Sequence, residues 1–449
     1  MRAVRSLAIF TLLLVAGVLG AMPLGAETPA PKPAVFPLSV AALSESGLEV
    51  VWQTEVLTPP DPVLSNLWLS GRFVVGRSAD SRVFVIGGSS GVRLWSRQMA
   101  EPFQKVWEPA VYKDELWLAT TTKLLGFKGF DGAPIASIDL GFAPAGKPVT
   151  NGTLCFIPDS KGWLQAVSMV PRTVSWGRWT EDAVTAGPVL DTTCVYFACQ
   201  DGTVFASTQG IRHVQWEYKT EGAVVADLQK TKSGMIIVGS LDYTLYAFAG
   251  PSGRIAWRHN VGEAIRKTPY AVGNAVFLFT KEAGLTAIDG TNGRAKWTLP
   301  EGADFLASNA QTAYILGRSG QLISVNRADG KVNFSVSLAA GAITAANQTD
   351  NGVIYVGMPS GLIAAIAKKG EVQAKKEEPT EAPKADSPSI HKPAPMEKKP
   401  AGADTKKPEG AGEAKPAEAK PAEAKPAEAA PAEAKPAEAK PAEAAPAAK

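Results

Sequence analysis

Apolar and polar residues follow one another along this chain in strand-length runs. Segments such as "GMIIVGS" (234–240), "NAVFLFT" (274–280) and "GVIYVGM" (352–358) read as β-strands. Each precedes a second short run ("YTLYAF", "GLTAID", "GLIAAIA"), and in most copies a turn and a further strand ending near a tryptophan follow. Pro251-Ser252-Gly253, Asn292-Gly293 and Asp329-Gly330 punctuate the turns, because Gly and Asn tolerate the positive φ that tight hairpins require. No 3.6-residue periodicity runs through the same stretches, so a helical repeat is not expected.

The pattern is counted out. Trp52, Trp95, Ala136, Trp176, Trp216, Trp257, Trp297 and Phe334 follow one another at steps of 43, 41, 40, 40, 41, 40 and 37. Ten residues before each of the last seven stands a small or apolar residue: Val85, Gly126, Ala166, Ala206, Ala247, Ala287 and Ser324. Four short strands in about forty residues make one propeller blade. Eight anchors therefore predict an all-β, eight-bladed β-propeller of four-stranded blades over residues 40–368. The last copy lacks an outer strand, and "GLEVVWQTEV" (47–56) is an outer strand without a blade. This N-terminal strand is expected to complete the eighth blade and remove the exposed sheet edge. Trp52, Trp95, Trp176, Trp216, Trp257, Trp297 and Phe334 are read as packing rings between blades. Ala136 breaks the series and predicts a less well packed seam.

The two ends differ from the ring. Residues 1–26 carry Arg2 and Arg5, the apolar run "LAIFTLLLVAGVLG" and small residues around Ala26, the pattern of an export signal peptide. The alternative, an uncleaved anchor, stays open because 7–26 is long enough to span a bilayer. Residues 27–39 read as a linker. From 369 to 449 the chain becomes a Pro/Ala/Lys/Glu-rich, low-complexity tail, "EAKPAEAKPAEAKPAEAA" and its repeats, with no aromatic residue. It cannot form a core and recurrent Pro prevents a continuous helix, so it is expected to be disordered.

Composition narrows the functions. The net charge is +3, too small to infer nucleic-acid binding. Cys155, Cys194 and Cys199 are too few for a disulfide framework, and the odd spacing of the last two puts them on opposite faces of one strand. There are three histidines, and no CxxC, HExxH, nucleophile elbow or phosphate loop. "GGSSG" (87–91), "GRSG" (317–320) and "NGT" (151–153) are read as turns. Asp131, Asp201, Asp289 and Asp329 are read as turn formers at equivalent hairpin positions.

The spacing Ala287, Asp289, Gly293, Trp297 resembles the pyrroloquinoline-quinone-type (PQQ-like) propeller repeat, and the whole ring is similar to the exported eight-bladed propellers of the BamB outer-membrane assembly type. The likeness covers about 325 residues. It implies a non-enzymatic interaction scaffold in the periplasm or cell envelope of a bacterium, with protein partners and no cofactor. Two departures stand out: no cysteine is placed for lipid attachment, and the long tail is extra. Membrane association is then expected only through a partner or an uncleaved N-terminal segment. Two alternatives stay open, a quinone- or metal-dependent oxidoreductase and a small-molecule-sensing propeller with a ligand in its channel. The oxidoreductases of this repeat type resemble longer chains with adjacent cysteines, which are absent here. With no catalytic set visible, the candidate binding residues are the aromatics outside the anchor register: Phe103, Trp107, Phe127, Phe130 and Trp179, beside Lys105, Lys128 and Arg178, with packing between blades as the alternative reading.

Overall fold

The computed structural model describes residues 36–57, 62–102, 104–211 and 213–372. The expected signal segment, the first part of the linker, Phe103 and the tail from 373 lie outside the described residues. What is described is a ring of eight four-stranded antiparallel sheets. Blade I holds strands within 64–98, blade II 110–139, blade III 149–179, blade IV 189–219, blade V 229–260, blade VI 270–299 and blade VII 302–337. Blade VIII takes Ile343–Ala345, Ile354–Gly357 and Leu362–Lys368 from the end of the ring and its outer strand, Leu48–Glu55, from the beginning. Leu48 pairs with Lys368 and Glu55 with Leu362, so the two ends are fastened by one antiparallel ladder.

The ten-residue interval has a plain cause. Ala287 lies directly across from Trp297, Ala247 from Trp257 and Ala206 from Trp216, and the same holds for Val85, Gly126, Ala166 and Ser324 with their anchors. A register shift follows the pair in every one of these hairpins, as a β-bulge would produce. The small partner leaves room for the ring.

The core is divided into eight wedges, one between each pair of neighbouring blades. Alternate residues of a strand serve different wedges: Cys194, Tyr196 and Ala198 pack between blades IV and V, whereas Val195, Phe197 and Cys199 pack between III and IV. All three cysteines are buried and unpaired.

Each anchor tryptophan clasps the next blade. Trp257 Nε1 donates to the Gly290 carbonyl at 2.9 Å, and its ring lies against Gly293, whose φ is +75°. A Cβ on Gly293 would meet that ring at 2.6 Å, so both the backbone and the space exclude a side chain. Trp52, Trp95, Trp216 and Trp297 repeat the clasp on the hairpins of blades I, II, V and VII. Trp176 donates to Gln209 of blade IV at 3.1 Å. Phe334 meets a different neighbour: Phe36, Leu38, Ala42 and Leu43, the last two on a short helix (α1, Val40–Ser46), pack there with it. Ser39 caps that helix through the Ala42 N–H. Leu38 is buried, so the packed chain begins ahead of residue 40.

At Ala136 the expected gap is filled from another direction. Trp117 sits in the same cross-strand row, opposite Gly126, which in turn is opposite Ala136. Its ring is 2% exposed and covers Gly126 so closely that a Cβ there would meet it at 2.6 Å. The large ring has moved two strands inward. Across the seam, the place of the clasped glycine is held by Arg172, with φ +72°, and its guanidinium donates to the Ile135 carbonyl at 2.9 Å.

Candidate functional site

The aromatics singled out in the sequence are dispersed by the fold. Phe127 is buried between blades I and II, 5.5 Å from the Trp95 ring. Phe130 stands at a hairpin tip but is half-buried, set edge-on to Phe73 at 5.4 Å with Arg72 over its face. Trp107 is half-buried against the wedge between blades II and III, and Lys105 Nζ lies 3.3 Å from its ring centre. Trp179 alone of the described four is exposed, at 56%. Phe103 lies outside the described residues; between blades I and II runs a groove of about 770 Å³ that Arg97, Gln104, Lys123 and Phe127 help to line.

The acids keep their turn role, with two corrections of position. Asp131 and Asp329 stand five residues before their anchors, but Asp289 stands eight before its own. Asp131, Asp289 and Asp329 accept backbone N–H groups two residues on in the outer hairpins. Asp201 does the same for Thr203, but in the turn between the second and third strands of blade IV, so it is not equivalent to the others. Cys199 and Lys219 also bond its carboxylate. Burial opposes that charge; these bonds outweigh it and bring the pKa down to about 2. Asn151 likewise accepts from Thr153 and Leu154, a turn as read.

Exposed apolar residues are frequent on the two blades whose hairpins depart from the repeat. Val170 (84%), Val174, Trp179 and Ile211 (65%) all belong to blades III and IV, and they are half of the large exposed hydrophobics among the described residues. In these two hairpins an arginine, Arg172 or Arg212, stands four residues before the anchor, where the other hairpins have glycine. Arg212 itself lies outside the described residues. The sequence signal was present: loss of the turn glycine marks an altered tip.

A second region lies on the axis, where residues of six blades meet around a chamber of about 330 Å³. Lys147 of the approach to blade III reaches Asp227 of blade V at 3.3 Å and Glu108 of blade II at 3.9 Å. It passes over blade IV at Gly187, where a Cβ would come within 2.7 Å of Lys147 Cγ and 2.9 Å of Asp227 Cγ. The Gly187 N–H donates to Asp227 Oδ1 at 2.6 Å. Burial works against the Lys147 ammonium, but the two carboxylates prevail and raise its pKa. Burial also raises the Glu108 carboxyl, with Lys147 opposing. Further round, Lys267 lies 3.9 Å from Asp304. These positions could have been found from spacing: Lys147, Gly187, Asp227 and Lys267 are forty residues apart in turn, although their chemistry differs. Among the described residues no group of three or more His, Cys, Asp or Glu gathers to hold a metal ion, and no helix is long and apolar enough to cross a membrane.

Comparison with known proteins agrees with the ring. None of the curated proteins matches the chain. Among solved structures, BamB from Moraxella catarrhalis superimposes with a TM-score of 0.58 at 13% identity, covering 72% of this chain and 98% of that one. The computationally designed Ika8 protein gives 0.56 at 14% identity, covering 68% and 96%. At such identities the likeness is one of fold. The profile of the family described as "Outer membrane protein assembly factor BamB" matches residues 38–218 and 212–308, more than half of the sequence. By its repeat, its closed ring and this match, the chain belongs to the BamB-like family of PQQ-repeat propellers.

Proposed function

We propose that the protein is an exported, non-enzymatic scaffold that holds protein partners in the bacterial cell envelope during outer-membrane protein assembly. Its membership of a family described by that process supports the setting. The observation that carries the scaffold role is that Val170, Val174, Trp179 and Ile211 are all exposed on two adjacent blades, Trp179 at the opposite end of its strand from the Val170 hairpin. A ring held by buried tryptophans has no folding need for a tryptophan on its outer rim, and exposed aromatic and aliphatic groups of this kind anchor partners. The groove between blades I and II that Phe127 helps to line is a second contact region, with Arg97 and Lys123 at its rim. Residues 1–26 direct export, and the protein reaches the membrane through its partner or through that segment if it is retained.

The test is crosslinking in intact cells followed by purification of the full chain. Components of the outer-membrane protein insertion machinery are expected among the crosslinked proteins. Their absence, with the bait recovered from the periplasmic fraction in good yield, would contradict the proposal.

A further inference from the structure

The chamber on the axis has a chemistry of its own, separate from the rim. One side is neutral and comes from blades I and VIII, with Asn66, Trp68 and Thr344; the other carries Glu108, Gln229 and Tyr270. Its volume of about 330 Å³ sits at the lower end of small-molecule sites, about 300–1,000 Å³. Lys147 has its carboxylate partners and Lys267 has Asp304, so the cations in and beside the chamber are already paired within the protein. A strongly charged ligand would therefore meet both signs.

What remains unspent is mostly uncharged and two-sided. Among the described residues, the side chains of Asn66, Thr344 and Tyr270 make no hydrogen bond to protein, and Glu108 has only its ion-pair contact with Lys147. Gln229 accepts from Gln348 at 2.8 Å, which leaves its own N–H₂ to donate. Amides, hydroxyls and a carboxylate together ask for a ligand whose groups both donate and accept, as alcohol hydroxyls do. Trp68, half-buried against the wedge between blades I and II, lines the chamber as its aromatic residue beside Tyr270. No catalytic set accompanies these groups, so the arrangement is one for binding.

We propose that the axial chamber binds a neutral, polyhydroxylated molecule of sugar size through Asn66, Trp68, Glu108, Gln229, Tyr270 and Thr344. Such a ligand would reach the protein either as a free solute or as the end of an envelope glycan.

The experiment titrates the full chain with glucose, trehalose, N-acetylglucosamine and chitotriose, read by calorimetry and by saturation-transfer NMR. At least one is expected to saturate a single site. Tyr270→Phe keeps the ring and removes only the hydroxyl, and Asn66→Ala removes only the amide. Each is expected to weaken binding about three- to tenfold, with the thermal midpoint confirming the fold and Trp179→Ala leaving affinity unchanged. Saturation by glucose, trehalose or N-acetylglucosamine without chitotriose identifies a free solute, and saturation by chitotriose identifies a glycan end. No saturation by any of the four below about 10 mM, or binding indifferent to both Tyr270→Phe and Asn66→Ala, would overturn the proposal. Neither result touches partner crosslinking, which reads the rim and not the axis.

Discussion

Two seams of the ring do the same job by different means. Between blades V and VI, Trp257 spans the wedge, donates to Gly290 and lies on a glycine that cannot bear a side chain. Between blades II and III the anchor is Ala136, the bulk comes from Trp117 two strands inward, and Arg172 reaches back to Ile135. The first seam is a clasp repeated around the ring. The second keeps the core filled but frees the hairpin from the glycine rule, and a freed hairpin can present Val170 to solvent at 84%. Departure from the repeat is therefore where surface chemistry becomes available.

Mutations can separate the two seams. Trp257→Ala should have the largest effect, about 3–5 kcal/mol of stability lost, since it leaves a ring-sized cavity and strips Gly290 of its donor. Chemical denaturation will measure it. Ala136→Trp should also destabilise, by about 1–3 kcal/mol, because Trp117 already occupies the space. Stabilisation there would show that the seam holds a real gap.

Most of the ring was legible. Ala287, Asp289, Gly293 and Trp297 encode a hairpin locally, and equal spacing multiplies it by eight; the orphan strand at Leu48–Glu55 then had one place to go. The role of Trp117 was not legible, because it depends on a cross-strand row that joins residues 117, 126 and 136 only after folding. Helix α1 is a single short element, below the length at which periodicity can be read. The neighbouring blade covers Phe127 with Trp95 and Arg97 and Phe130 with Phe73 and Arg72, contacts that the sequence of one hairpin does not display. Lys147, Gly187, Asp227 and Lys267 share a spacing but not one residue type, so a search for a single repeated residue passes over them.

Smaller effects sharpen the same contrast. Asp201, at about 2 against its ordinary 3.8, is bound more tightly as a carboxylate in the fold than in the unfolded chain. Its contribution is complete above about pH 4 and disappears as the pH falls through 2, on the order of 1 kcal/mol. Asp201→Asn should flatten the stability profile in that window, and an unchanged profile would remove Asp201 from the account. Arg172→Gly should be the mildest, within about 0.5 kcal/mol, since an exposed hydrogen bond is exchanged for relief of a positive φ. A large loss would mean that Arg172, and not Trp117, closes the seam.

The central claim is that binding resides in the blades that break the repeat. Its most direct test compares two double variants of the full chain for capture of the crosslinked envelope partner. Trp179→Ala with Ile211→Ser alters blades III and IV, while Tyr243→Ser with Val332→Ser removes similarly exposed groups from blades V and VII. The account predicts at least a tenfold loss of capture, about 1.4 kcal/mol, for the first and near-native capture for the second. Equal capture by both, or loss confined to the second, would contradict it.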